Sequence, residues 1–135
     1  MAISQSLRNR AVVLERFTTL TTASATIVGP SVPAGTIVLS AGVEVLSAVP
    51  TITTFTVAAS DGTTTFMAAT SISGAATNTI RAGVTPGFIS ANDTIDAVTV
   101  ISGTTGAIPV RIWAVIVDVN DCVLPAAEVD RDTIG

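Results

Sequence analysis

The 135-residue chain has no histidine, no lysine and no tyrosine, and only one cysteine and one tryptophan. Each absence removes a class of chemistry. Without histidine there is no Ser-His-Asp triad and no Cys-His pair. Without lysine there is no Schiff base and no Ser-Lys dyad. A single cysteine excludes an intramolecular disulfide, and with no histidine beside it the usual zinc sites are excluded too. Cys122 reads as a small packing thiol, suited to a reducing cytosol. Neither a phosphate-cradling GxxxxGK[ST] motif nor a GxGxxG after a strand is present. Charged residues make up 12% of the chain, about half the usual share.

Long apolar runs are also missing. Thr, Ser, Gly or Asp interrupts every candidate before it reaches the roughly 18 residues of a membrane span. MAISQSLRNR at the N-terminus lacks the apolar centre of a secretory signal. Neither membrane insertion nor signal-directed export is expected. Nucleic acid is a poor partner, because a net charge of −4 opposes phosphate. Arg8, Arg10 and Arg16 near the N-terminus have no interleaved aromatics for base stacking.

Two carboxylate groupings remain. Asp93 and Asp96 are a formal pair for two-carboxylate hydrolysis, but such a site needs a cleft and sugar-stacking aromatics. The simpler reading has Asp93 closing a turn and Asp96 pointing outward from a strand. Asp118, Asn120 and Asp121 gather oxygen ligands as Ca²⁺ requires, without the spacing or glycine of an EF-hand loop. A solvated strand end accounts for them. No enzyme activity, cofactor or metal is expected.

What the chain does contain is Val, Ile and Thr, filled in with Ala, Ser and Gly. That is the vocabulary of an all-β protein. Its length fits one domain that buries roughly 68% of the surface its unfolded chain exposes. At 48% apolar and so sparsely charged, a chain not expected in a membrane should have much of its surface covered by other protein. Symmetric assembly covers surface most economically. Charge is also segregated: residues 1–16 carry +2, the middle −2, and residues 118–135 carry −4. The expected organisation is an N-terminal arm over 1–16, a sandwich domain over 17–121 and an acidic tail over 122–135.

Strand signals follow one another closely between the termini. AVVLERFTTL (11–20) reads as a strand that would also permit a helical turn, and SATIV (24–28) as a strand stopped by Gly29-Pro30. TITTFTVAA (51–59) and TTTFMAAT (63–70) flank Asp61-Gly62, a hairpin turn dipeptide. Residues 71–87 are the least patterned. A short strand near Phe88, a turn at Asn92-Asp93, TIDAVTVIS (94–102) and PVRIWAVIVDV (109–119) complete the set. Many strands, short connections and no βα alternation predict an antiparallel sandwich or barrel.

Two strands are apolar on both faces. In VPAGTIVLSAGVEVLS (32–47), alternation puts Ile37, Leu39, Ala41, Val43 and Val45 on one side, expected to face the core. Val38 and Leu46 fall on the other, with a bend or bulge expected at Gly42. The last strand sets Arg111, Trp113, Val115 and Val117 opposite Val110, Ile112, Ala114 and Ile116. A strand covered on both sides in an antiparallel domain needs a core on one face and a partner on the other. Val38, Leu46, Arg111 and Trp113 are therefore the candidate oligomer-interface residues.

TIVGPSVPAGTIVLSAGVEVLSAV, the Thr-rich hairpin, FISANDTIDAVTV and PVRIWAVIVDV together resemble a family of small tailed-phage proteins that decorate, or cement, the capsid. The resemblance covers roughly residues 24–119. It implies a jelly-roll-like β-sandwich, a homotrimer and a seat on the outer surface of an icosahedral shell, with the major capsid protein as partner. It also implies an extended arm that grips the shell, which makes Arg8, Arg10 and Arg16 the candidate capsid contacts. The alternatives are a tail or fibre-base virion component and a carbohydrate-binding module that stacks sugar on Trp113 and Phe88.

Overall fold

The computed structural model describes residues 11–20, 25–50, 54–101 and 107–118. They form eleven strands and no helix, so no helix in them is long and apolar enough to cross a membrane. The strands are β1 (Val12–Leu20), β2 (Ala25–Ile27), β3 (Ser31–Val32), β4 (Thr36–Val45), β5 (Phe55–Ser60), β6 (Thr65–Ser71), β7 (Ile80–Gly83), β8 (Gly87–Ile89), β9 (Asp93–Thr94), β10 (Asp96–Ile101) and β11 (Ile108–Asp118). All pair antiparallel. One sheet runs β1-β11-β4-β7, with β8 also on β4, and a second runs β2-β10-β5-β6. The chain passes from one sheet to another at most connections; β5–β6 and β7–β8 each stay within one, and β3 pairs with β9 in a small third sheet. This is the double-sheet jelly-roll arrangement, and the sandwich expected from the sequence is the one observed.

The core is what the two inner faces share. Phe55, Val57 and Ala59 from β5, Ala97 from β10 and Phe66 and Met67 from β6 meet Ala41, Val43 and Val45 from β4 and Val110, Ile112 and Ala114 from β11. Each fully buried large side chain contributes about 1.5–3 kcal/mol by leaving water. The hairpin expected at Asp61-Gly62 is present. Asp61 Oδ1 accepts from the backbone N–H groups of Thr63 and Thr64, and Gly62 takes the positive φ of 88° that the turn requires. The unpatterned stretch hides β7. That strand is held by Asn78 N–H donating to Val45 O and Val45 N–H to Thr79 O.

β4 corrects the face assignment made from alternation. Val115 of β11 lies opposite Ser40 while the next residue, Ile116, lies opposite Val38, so Leu39 is an extra residue in a β-bulge. The bulge shifts the alternation by one residue partway along the strand. Thr36 and Val38 point inward before it; Ala41, Val43 and Val45 point inward after it. Val38 is 0% exposed, so it is a core residue and not an outer-face one, whereas Leu39 is 42% exposed. Ile37 is only half-buried. The bend lies at Leu39, three residues before Gly42, where it was expected.

Residues 12–16, placed in the arm from sequence, belong to β1 and pair with β11 from Val12↔Ile116 to Arg16↔Ile112. Residues 1–10, with Arg8 and Arg10, lie outside the described residues, as does the tail over 122–135 with Cys122.

Candidate functional site: the outer face of the first sheet

The registers of β1, β11, β4, β7 and β8 place outward side chains in rows across the first sheet. One row is Phe17–Arg111–Glu44–Ile80 and the next is Glu15–Trp113–Gly42–Ala82. Val13–Val115–Ser40 and Val117–Ile37–Phe88 follow. The face is mainly apolar, and its large side chains stand in water: Phe17 is 63% exposed, Val13 57%, Phe88 57% and Ile80 52%. Soluble chains seldom leave so many together uncovered.

The charges on this face are already paired. Arg111 Nη1 donates to Glu15 Oε2 at 2.7 Å, and Nη2 donates to Glu44 Oε2 at 3.3 Å. The hydrogen bond to Glu15 raises the Arg111 pKa, partial burial opposes the rise, and Glu44 adds to it. The guanidinium thus stays charged at any pH the fold meets. One cation between two carboxylates leaves the trio at −1, with both arms of the arginine engaged inside the protein. Exposed pairs of this kind contribute about 0–1 kcal/mol to folding. Their effect here is to engage the Arg111 guanidinium on both sides within a mainly apolar surface.

Trp113 lies beside the trio. A Cβ on Gly42 would come within 2.9 Å of Trp113 Cζ2 and would collide with the carbonyl oxygen of Arg81. The missing side chain at Gly42 is what lets the indole settle onto β4. Trp113 is half-buried as a result, and its Nε1–H is shut from solvent with no acceptor. An indole settled in this way is a poor sugar-stacking platform, which needs an open ring face.

The opposite side of the sandwich differs in kind. Its outward rows are Thr26–Val98–Ala58 and Val100–Thr56–Ser71, without aromatics, where hydroxyls and alanine stand beside two valines, Val100 being 58% exposed. At one end of the sandwich, Asp93 borders two shallow depressions. One, of about 500 Å³, is lined with Ser31, Pro33 and Asn92; the other, of about 200 Å³, with Asp61, Thr63 and Ser90. The acidic pair there is used structurally. Asp93 Oδ1 accepts from Thr94 N–H at 2.8 Å, and Asp96 Oδ1 accepts from Thr94 Oγ1 at 2.7 Å. No group of three or more metal-ligating side chains occurs among the described residues. Asn120 and Asp121, weighed with Asp118 for Ca²⁺, lie outside them.

Of the interface candidates, Arg111 and Trp113 sit on the outer face, and Val38 is withdrawn to the core. Leu46 is half-buried just past β4, its N–H donating to Pro109 O at 2.9 Å. Arg16 is exposed on β1 opposite Ile112, on the inner side of the sheet. The sequence reading missed Glu15, Phe17, Glu44, Ile80 and Leu39. A glutamate within each of two valine-rich strands was the available signal for the trio. Nothing short of the register could have shown that both meet Arg111.

No protein-family model matches the chain, and no curated protein matches it. Solved structures do. A chain in the capsid asymmetric unit of cyanophage Pam1 superposes with a TM-score of 0.63 at 18% identity, covering 78% of this chain and 83% of that one. A chain in the acid-stable capsid of Helicobacter pylori bacteriophage KHP30 gives 0.55 at 13% identity, covering 78% of this chain and 91% of that one. These likenesses are of fold. The coverages make both chains close to this one in length.

Proposed function

We propose that this chain is a structural virion protein that decorates and stabilises an icosahedral phage capsid by bridging neighbouring shell subunits. The observation that carries the proposal is the outer face of the first sheet, a broad apolar surface whose central charges are already paired. Burying such a face against protein releases its ordered water and leaves one residual negative charge, not three separate charges, for the partner to match. Kinship of fold with chains from two phage capsids, each near this one in size, supports a shell setting.

In this reading the protein is made in the host cytoplasm and sits on the outer surface of the virion, with the major capsid protein as its partner. Clustering in threes, and a grip supplied by the N-terminal segment through Arg8, Arg10 and Arg16, belong to the same reading and come from the resemblance in sequence. Stabilisation is then a matter of mass action. Many weak contacts, repeated by symmetry, favour the closed shell over its parts. No step of this function needs a catalytic group.

The experiment is co-sedimentation of the purified chain with shells assembled without it. The wild-type chain is expected to pellet with the shells, and Phe88→Asp, which puts a charge on an exposed apolar site, to bind at least about tenfold more weakly. Failure of the wild-type chain to bind, or equal binding by Phe88→Asp, overturns the proposal.

A further inference from the structure

The edges of the two sheets are not alike. On the second sheet β2 is three residues long, and β6 is bulged twice against β5. β6 is also covered by β7, where a Cβ on Gly83 would collide with the backbone of Phe66 and Met67, and Arg81 Nε donates to Ser71 O at 3.3 Å. β7 and β8, at the far side of the first sheet, have four and three residues. These are the usual devices that keep an edge from pairing: shortness, bulging and cover. β1 has none of these three, and its only edge devices are the charges of Glu15 and Arg16. It runs nine residues with an unbroken register against β11 and contains no proline or glycine. Among the described residues no strand pairs its other edge. Val12 and Val13 are exposed on its two opposite faces, and Phe17 is exposed on the outer one.

We infer that β1 pairs antiparallel with β1 of a second copy, joining the two first sheets into one continuous sheet across a twofold axis. The occupant is a second copy because a twofold turns a strand edge into its own antiparallel complement. The charges on the strand choose the register. Centring the axis on Glu15 sets Glu15 against Glu15, and centring it on Arg16 sets Arg16 against Arg16, each a like-charge pair directly opposed. Centring it on Phe17 sets Phe17 against Phe17, Glu15 against Thr19, Arg16 against Thr18 and Leu14 against Leu20. That register joins the two most exposed aromatic side chains of the edge and opposes no like charges. The contact is independent of the capsid reading and forms in buffer without a shell.

The test is cross-linking of the full chain with Cys122→Ser as background. Opposed residues in an antiparallel pair have Cα atoms about 4.5–5.5 Å apart, within reach of a disulfide. Phe17→Cys is therefore expected to give a covalent dimer on mild oxidation. In the same register two copies of residue 19, or of residue 15, lie about 14 Å apart, so Thr19→Cys and Glu15→Cys are expected to stay monomeric on denaturing gels. Sedimentation of the unmodified chain should show concentration-dependent association that Phe17→Glu weakens at least about tenfold, with circular dichroism confirming the fold. The inference is overturned if Phe17→Cys fails to cross-link while the other positions do, or if Phe17→Glu associates as the wild type does. It is equally overturned if, with Cys122 retained, Phe17→Cys closes an intramolecular disulfide, because the C-terminal segment would then occupy the edge.

Discussion

Thr36 carries its hydroxyl into the core, where Oγ1 has no partner and the residue is fully buried. An unpaired buried hydroxyl costs about 1–3 kcal/mol of desolvation. Thr36→Val removes the polar atom and keeps the shape, and is expected to gain about 1 kcal/mol, read as a higher denaturation midpoint at unchanged slope. Gly42 is the opposite case. Any side chain there meets the Arg81 carbonyl, which is backbone and cannot swing aside, and the Trp113 ring. Gly42→Ala is expected to cost about 1–3 kcal/mol and to red-shift the fluorescence of the single tryptophan as its ring lifts into water. Neither residue was legible as special in the sequence. A threonine in a strand is ordinary, and Gly42 drew notice only as a possible bend. What both depend on is the identity of the neighbour across the strand.

Among the elements, β4 shows how far periodicity carries. Its existence follows from local chemistry, as do β11 and the Asp61-Gly62 hairpin. Face assignment does not, because one inserted residue reverses the alternation on one side of it. Val43 and Val45 lie beyond the bulge and were correctly read as inward, whereas Ile37, Val38 and Leu39 were inverted. The structure predicts a sharp contrast between neighbours. Val38→Asp buries an unpaired charge, costing roughly 3–5 kcal/mol, and is expected to leave the chain largely unfolded in a thermal melt. Leu39→Asp places the same charge at an exposed bulge and should shift stability by no more than about 0.5 kcal/mol. Equal tolerance of the two variants would contradict the bulge. The weakly patterned region holding β7 escaped notice for a related reason: a four-residue edge strand of Ile80, Arg81, Ala82 and Gly83 is specified by its partner β4, not by its own sequence.

For the whole molecule, the sequence signal was the shortage of charge, and the structure gives it a location. The exposed aromatics Phe17 and Phe88, with Ile80 and Val13, stand on the outside of the β1-β11-β4-β7 sheet, whereas the described outside of the other carries hydroxyls, alanine and valine, Val100 among them. Arg111, Glu15 and Glu44 neutralise one another within the apolar side except for one residual negative charge. In the function proposed above, the first side meets protein and the second meets water. That division is the central claim, and a cryo-electron microscopy reconstruction of icosahedral particles assembled with the chain tests it most directly. The account predicts density for the sandwich on the outside of the shell, with Trp113, Phe88 and Ile80 within about 4 Å of shell protein and the Thr26–Val98–Ala58 row toward solvent. A sandwich seated the other way round, with the hydroxyl rows against the shell and Trp113 and Phe88 in open water, would contradict it.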